Sequence, residues 1–297
     1  TSSGRNDIGG PTADGARSTM KRPNATPSAL PPSVSAMSAP PHLSPFARLF
    51  ALISAVLDPI CGLLASMPNR IVGLGDTSRW NTPRRRRRGL VVILGGIEGP
   101  SIYQRCMAAG LLRGRWRGAV VVYPWNRGIP FIRELVNLMN RARNEVESDR
   151  VVELIRDYQR EYPGRPAGIL AQSGGCWIAT RTLEKLRDSE RVRSVVLLAP
   201  CISPYHDFSN AAAHCERGFV VVRAAGDAFF LGLGTSLLGT SDRRWGPAGA
   251  WLGWSNVPTG MIDLVWRPAW IRLRYYGNHT SSASPRFVAS VIVPFFT

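Results

Sequence analysis

A serine flanked by small residues is the first candidate for chemistry in this sequence. Ser173 lies in the run Ala171-Gln172-Ser173-Gly174-Gly175, between an apolar, strand-like ILAQ and a helix-like CWIATRTLEKL. A serine nucleophile has to stand on a sharp turn that lifts its hydroxyl clear of the strand, so the residues two before and two after it must be small. Ala171 and Gly175 meet this requirement. The run therefore indicates a nucleophile at Ser173, although an ordinary glycine turn between a strand and a helix also explains it.

The same turn would orient a backbone hydrogen-bond donor. The N–H of Gly174 is predicted to lie at the N-terminus of the following helix, where N–H groups lack partners inside the helix. Donors of this kind stabilise the negative charge that develops on a carbonyl oxygen during acyl transfer. A serine beside such a donor points to covalent acyl chemistry at Ser173, and that chemistry requires no metal or organic cofactor.

Alternating apolar runs and helix-like segments surround this serine. From Gly89 onward the predicted strands are GLVVILGG, AVVVYPW, AGILAQSGG, SVVLLAP, FVVVRAAGD and WIRLRYYG, with PRFVASVIVPFF as a closing helix. Continuous apolar runs separated by helices are typical of a parallel sheet that is buried on both faces. We therefore expect an α/β fold with a mostly parallel central sheet and helices on both faces. In such folds ligands bind at the carboxyl ends of the strands.

By the Ser173 turn and its flanking strand and helix, residues 89–297 resemble the α/β-hydrolase family. The usual family motif is Gly-x-Ser-x-Gly, and here Ala171 replaces the first glycine. The resemblance implies a serine hydrolase, esterase- or lipase-like, that cleaves a carboxylic ester or related acyl bond through an acyl-enzyme on Ser173. Its substrate would be a small-molecule or lipid ester. A catalytically inactive member of the fold, acting in binding or membrane scaffolding, remains the alternative.

A second oxyanion donor is implied after the first predicted strand. The run Leu94-Gly95-Gly96-Ile97-Glu98-Gly99 takes the place of the family's His-Gly-x loop, with Gly95 where the family has histidine. By the resemblance, the N–H of Ile97 would join that of Gly174 in the oxyanion hole. Three residues are expected to contact the substrate: Gly96, Glu98 and Gln172. A plain glycine turn also accounts for the run.

The general base implied by the resemblance is His279. It lies in Gly277-Asn278-His279, after the last predicted strand and before the closing helix, which is similar to the family's Gly-x-His ending. Of the other histidines, His42 lies in the N-terminal extension, and both His206 and His214 lie between two predicted strands. Only His279 has the position that the family requires.

The acid that orients the imidazole is expected at Asp227. The strand FVVVRAAGD ends in Gly-Asp, which resembles the family pattern, and the order Ser, Asp, His is the order of the fold. Three other carboxylates remain possible because they lie in loops that can reach the histidine: Asp207, Asp242 and Asp263. Asp227 and His279 are 52 positions apart, and the segment between them is rich in Gly, Leu and Trp. Residues 228–268 are therefore either a lid or acyl-binding wall or an extra element packed on the core.

The N-terminal residues differ in composition from the rest of the chain. Residues 1–45 are rich in Ser, Pro, Ala and Gly without apolar periodicity, which predicts a disordered extension. Residues 46–67 are apolar but interrupted by Asp58-Pro59, so a membrane anchor, a signal sequence and a packed amphipathic helix all remain possible. The five arginines 84–88 complete a predicted linker over 46–88, either solvated or held at an anionic lipid surface.

The strongly basic composition does not by itself indicate nucleic acid. The formal net charge is +17, carried almost entirely by arginine and spread along the chain without an interleaved aromatic-and-basic motif. The five cysteines are widely separated, with no pair at metal-ligand spacing. We therefore expect neither a nucleic-acid partner nor a metal. The compartment stays open, with membrane association through 46–67 favoured over a cytoplasmic location.

Overall fold

The computed structural model describes residues 77–99, 101–126 and 140–297, together with the single residues 53 and 137. The prediction for the extension 1–45 falls outside these residues, and so does that for the apolar segment 46–67 apart from Ile53. Within the described part of the chain, no helix has the length and apolar character needed to cross a membrane.

The centre of the described chain is a parallel β-sheet of six strands. In chain order they are β1 (Leu90–Leu94), β2 (Ala119–Tyr123), β3 (Ala167–Gln172), β4 (Val192–Leu198), β5 (Cys215–Val222) and β6 (Met261–Leu264). Their order in the sheet is β2-β1-β3-β4-β5-β6, and every neighbouring pair is parallel. The strands are rich in Val, Ile and Leu, which suit a pleated surface covered on both sides. The prediction of a parallel sheet is confirmed.

Helical segments connect the strands. The α-helices are α1 (Pro83–Arg86), α2 (Ile102–Arg113), α3 (Arg141–Glu161), α4 (Gly175–Glu184), α5 (Ser209–Ala213), α6 (Thr235–Leu238), α7 (Gly249–Leu252) and α8 (Pro285–Phe287). Shorter 3₁₀ segments are Ser78–Trp80, Pro268–Leu273, Thr280–Ala283 and Val293–Phe295, and the π-helical segments are Ala228–Gly234 and Val288–Ile292. Side chains cap the longer helices: the Ser101–Gln104 capping box begins α2 and the Asn140 side chain begins α3.

Helices cover both faces of the sheet, as predicted. Along β1, Val92 faces a cluster that includes residues of α3 and α4, whereas Val91 faces a cluster formed with α2 and the C-terminal segments. Both residues are fully buried, as are most residues of the strands. A strand buried on both faces loses the polar alternation of a half-exposed strand, which is why these strands read as continuous apolar runs.

The last strand lies elsewhere than the sequence predicted. WIRLRYYG was expected to be a strand, but its first four residues belong to the 3₁₀ segment Pro268–Leu273, and β6 is instead the short run Met261–Leu264. Pro268 is at the first position of the 3₁₀ segment, where its fixed φ is suited to a helical turn. The preference of Pro268 for a helical turn outweighed the strand-like alternation of apolar and arginine residues. The extra segment predicted over 228–268 therefore ends in a strand of the central sheet.

Part of the predicted linker is also folded. Residues 77–88 contain the 3₁₀ segment Ser78–Trp80 and helix α1, which is capped by the Thr82 side chain. Trp80 is buried in the same cluster as β1, so the folded domain begins before Gly89.

Candidate functional site

Ser173 stands on a strained turn at the carboxyl end of the central strand β3. Its φ is +52°, in the left-handed region that residues with a Cβ rarely adopt, and its N–H donates to the Leu198 carbonyl at 3.0 Å. Helix α4 begins two residues later, at Gly175. The residue is 8% exposed, so its hydroxyl belongs to a nearly enclosed site. Strain of this kind persists only where the surrounding structure enforces it, and it is concentrated at functional sites.

Gly175 is required by the close approach of two backbones. A Cβ at this position would lie 2.4 Å from the Gly95 carbonyl oxygen and 2.5 Å from that of Leu94. The turn that carries Ser173 is therefore packed directly on the end of β1. No larger residue fits without moving the loop that follows Leu94.

We expect Gly175→Ala to destabilise the fold by about 3 kcal/mol, because the added methyl group overlaps main-chain atoms that cannot rotate away. Helix propensity alone would make alanine stabilising, so the predicted loss of stability depends on the overlap. Urea unfolding measures the change. Gly232→Ala is the matched control, since its Cβ would meet only the Trp251 ring at 3.5 Å, an ordinary contact. An equal loss in both variants would contradict the prediction.

The two residues predicted to supply the oxyanion donors are in contact. A Cβ on Gly174 would be 2.5 Å from Cγ2 of Ile97, so the Ile97 side chain lies directly against the Gly174 backbone. Within the described residues, the N–H groups of Gly174 and Ile97 donate no hydrogen bond. Two unpaired donors beside a strained serine are the elements of an oxyanion hole.

Side chains from outside the loop hold its carbonyl groups. Trp125 Nε1 donates to the Gly95 carbonyl at 2.9 Å, Asn126 Nδ2 donates to the Gly96 carbonyl, and Asn137 Nδ2 donates to the Ile97 carbonyl at 3.0 Å. In a trans peptide the C=O and the next N–H point in opposite directions. The hydrogen bond to the Gly96 carbonyl therefore directs the Ile97 N–H away from Asn126.

Sequence reasoning missed these supporting residues. Trp125 and Asn126 follow β2 at the same sheet edge as Ser173, and their position after a strand is a signal that would have drawn attention to them. Arg143 extends the network, because its guanidinium donates to Asn137 Oδ1 at 2.9 Å and to the Trp125 carbonyl at 3.0 Å. No sequence pattern predicts these hydrogen bonds of Arg143.

His279 and Asp227 form a buried pair. Nδ1 of His279 lies 2.5 Å from Oδ2 of Asp227. Because a carboxylate only accepts, Nδ1 carries the proton, and Nε2 is the ring nitrogen that can accept one. The other carboxylate oxygen accepts the Phe230 N–H at 2.9 Å, and the Phe230 ring packs on the imidazole at 4.9 Å between centroids. The Asp227 side chain is fully buried, so its orientation is fixed from both sides.

The alternative acids have other partners. Asp242 accepts hydrogen bonds from the N–H and the hydroxyl of Ser203, at 2.8 and 2.5 Å. Asp207 binds Ser209 in the same way and is exposed. Burial raises the pKa of the Asp263 carboxyl, which lies 3.9 Å from the Arg223 guanidinium. Of the four candidates, the structure brings Asp227 to His279.

Gln172 joins the Ser173 turn to the loop of His279. Its side chain is buried, and its amide donates to the His279 carbonyl at 3.3 Å and toward the Ser282 hydroxyl at 3.5 Å. It therefore holds the loop of His279 beside the Ser173 turn, and its predicted contact with substrate stays a prediction. The Gly226 N–H supports the same loop by donating to the Gly277 carbonyl at 2.9 Å.

Glu98 folds back over the oxyanion loop. A Cβ on Gly96 would overlap its carboxylate, and one carboxylate oxygen accepts the Ser101 hydroxyl at 2.9 Å. Gly96 therefore leaves room for the Glu98 side chain. The predicted contacts of Gly96 and Glu98 with a substrate stay predictions.

Cys201 is a neighbour of Ser173 that the sequence suggested only as a core residue. Its thiol lies within hydrogen-bonding reach of the Ser173 side chain and 3.0 Å from the Ser241 hydroxyl. Burial raises the pKa of this thiol to about 11. At neutral pH it is therefore a protonated thiol and a weak nucleophile.

The residues after Asp227 pack on the carboxyl ends of the strands and leave an apolar outer surface. Leu231, Ala248 and Ala250 pack on the strand ends, whereas the large side chains of the outer surface are exposed. We call this surface the apolar face; it comprises Phe229, Leu233, Leu237, Leu238 and Leu252. The segment is thus packed on its inner side and apolar on its outer side.

The arrangement combines a strained serine, an oriented imidazole with a buried carboxylate, and unpaired backbone donors, which together can perform acyl transfer without a metal. Within the described residues, no group of three or more His, Cys, Asp or Glu is placed to hold a metal ion. No protein-family model matches the sequence, and no curated protein matches it.

Proposed function

We propose that the protein is a serine hydrolase with an α/β-hydrolase fold, which cleaves a carboxylic ester or a related acyl bond. The observation that carries the proposal is the buried 2.5 Å contact between His279 Nδ1 and Asp227 Oδ2, at the sheet edge that holds the Ser173 turn. In a serine hydrolase, a buried carboxylate holds the imidazole in the tautomer that can take the proton from the serine hydroxyl.

The first half-reaction forms an acyl-enzyme. Ser173 Oγ attacks the ester carbonyl carbon while Nε2 of His279 takes the hydroxyl proton. Asp227 stabilises the imidazolium, and the N–H groups of Gly174 and Ile97 stabilise the negative oxygen. The C–O bond of the ester then breaks, and the imidazolium gives its proton to the departing alkoxide.

The second half-reaction releases the acid. Water attacks the acyl carbon while Nε2 of His279 takes one of its protons, and the same donors stabilise the second tetrahedral intermediate. The bond to Ser173 Oγ breaks, and the proton on His279 returns to the serine. The cycle consumes one water and yields one alcohol and one carboxylic acid.

The chain order supports this fold assignment. Ser173 follows β3, Asp227 follows β5 and His279 follows β6, and an α/β-hydrolase has its nucleophile, acid and base in this order. The nucleophile turn also begins a helix directly, and a glycine loop follows the neighbouring strand β1. These are features of the family expected from the sequence, and they support the proposal together rather than singly.

The apolar face supports a substrate with a hydrophobic acyl chain. It belongs to the segment that begins at Asp227 and includes Phe230, whose ring packs on His279. Phe229, Leu233 and Leu237 are 42, 54 and 62% exposed, so a chain laid along them would remove apolar surface from water. Several exposed apolar side chains within one short segment are typical of a binding surface.

We expect the triple variant Phe229→Ser/Leu233→Ser/Leu237→Ser to lose about tenfold in kcat/KM for a long-chain p-nitrophenyl ester while keeping its rate on the acetate. The long chain loses apolar contacts that the acetate never makes. Val146→Ser is the control, because this residue is 47% exposed on α3, outside the segment after Asp227. Equal losses on both esters would argue against a role of this face in substrate binding.

Labelling with a fluorophosphonate tests the proposed function directly. The purified full-length chain is treated with the probe, digested and analysed by mass spectrometry, in parallel with a heat-denatured sample. We expect one adduct, on the peptide that contains Ser173, and none after denaturation, together with hydrolysis of p-nitrophenyl esters. A folded protein that takes no adduct and cleaves no ester would contradict the proposal and favour a non-catalytic binding role.

A further inference from the structure

A cavity lined by arginines lies at the sheet edge opposite Ser173. Its volume is about 610 Å³, and its lining includes Arg84, Arg85, Arg88, Arg115, Trp116 and Arg117. We call it the arginine pocket. The arginines come from helix α1 and from the turns that precede β1 and β2, so they lie at the amino ends of the strands. The strands separate them from Ser173 by about 16 Å, at roughly 3.3 Å per residue.

The pocket has no counter-charge of its own. Within the described residues, none of its five guanidinium groups forms an ion pair. Between residues 77 and 126 the sequence has one carboxylate, Glu98, and this side chain lies on the opposite edge, bound to Ser101. The C-terminus of α2 contributes about half a negative charge at most, which cannot balance five positive ones.

The wall of the pocket is rigid. Trp116 is buried, its Nε1 donates to the Ala119 carbonyl at 3.1 Å, and a Cβ on Gly89 or Gly118 would overlap its ring. Arg85 is anchored in turn, since its Nη1 donates to the Gly118 carbonyl at 2.9 Å. Charged groups on a fixed frame lose less conformational entropy on binding than free side chains do.

We propose that the arginine pocket binds a compact ligand with several phosphate groups. Guanidinium groups match phosphate oxygens in paired hydrogen bonds, and five of them in one concavity require several negative charges close together. The volume is that of a small-molecule site. A nucleic-acid strand is disfavoured, because Trp116 is the one aromatic residue among the described residues of the lining, and it is buried rather than open to base stacking.

This inference does not depend on the proposed hydrolase activity, since the two sites lie at opposite edges of the sheet. The same chemistry occurs in soluble polyphosphates and in phosphoinositide headgroups. Inorganic tripolyphosphate represents the first source in calorimetric titration. Phosphatidylcholine vesicles with and without phosphatidylinositol bisphosphate represent the second in a sedimentation assay.

We expect at least one probe to bind the full-length protein, with an affinity that falls as salt rises. Arg88→Gln/Arg117→Gln should weaken binding about tenfold or more and lower the salt slope by about two. Both side chains are exposed, so thermal unfolding should be unchanged. The control is Arg272→Gln/Arg286→Gln, which removes the same charge from exposed positions outside the pocket.

Each outcome decides the proposal. Binding of tripolyphosphate alone identifies a soluble ligand, and sedimentation that requires phosphatidylinositol bisphosphate identifies a lipid headgroup. Three results would overturn the proposal: no binding of either probe, equal weakening in the two double variants, or displacement of both probes by a DNA duplex that binds more tightly.

Discussion

Replacing Ser173 by alanine is expected to lower kcat for ester hydrolysis by about 10⁴-fold or more and to abolish fluorophosphonate labelling. The variant removes one oxygen atom and keeps the backbone, which already has φ +52° and a hydrogen bond from Ser173 N–H to Leu198. The midpoint of thermal unfolding should therefore stay close to that of the wild type. A loss of activity without a loss of stability identifies the serine as a reacting group.

Cys201→Ala is the control for this variant, because its thiol is the other nucleophilic atom beside Ser173. Burial raises the pKa of that thiol to about 11, so almost none of it is thiolate at neutral pH. We expect Cys201→Ala to retain labelling and most of the hydrolysis. Activity that survives in Ser173→Ala and disappears in Cys201→Ala would instead assign the chemistry to the cysteine.

The sheet was predictable because its strands are buried on both faces. Runs such as LVVIL and VVLL have no polar alternation, and this pattern is compatible with few environments other than the interior of a parallel sheet. β6 was missed because MIDL has only four residues and includes Asp263. WIRLRYY was mistaken for a strand because it alternates, although Trp270 lies in a 3₁₀ segment and both Trp270 and Tyr275 pack on Phe287.

The candidate site was predictable where a residue's role follows from its place after a strand. Ser173, Asp227 and His279 are of this kind, since parallel strands bring their carboxyl ends to one edge. Asn126 and Gln172 are not, because each acts by a side-chain hydrogen bond to a carbonyl of a distant loop. The sequence shows the donor side chain but not which carbonyl it meets, so these hydrogen bonds could be found only in the three-dimensional structure.

Asp227→Asn is expected to lower kcat by about 10⁴-fold with little change in KM. An asparagine Nδ2 facing the imidazole would favour the tautomer in which Nδ1 accepts and Nε2 carries the proton. That tautomer cannot take the proton from Ser173. The amide oxygen can still accept the Phe230 N–H, so the packing around the site should be kept. Steady-state kinetics and the rate of fluorophosphonate labelling measure the effect.

Asp242→Asn and Asp263→Asn serve as controls, because both residues were possible acids by sequence. Asp242 hydrogen-bonds Ser203 and Asp263 lies beside Arg223, so neither change should alter the tautomer of His279. We expect both variants to keep kcat well above that of Asp227→Asn. If either control falls as far as Asp227→Asn, the assignment of the acid is wrong. If Asp227→Asn keeps the wild-type rate, the buried contact with His279 has only a structural role, and the proposed mechanism loses its central observation.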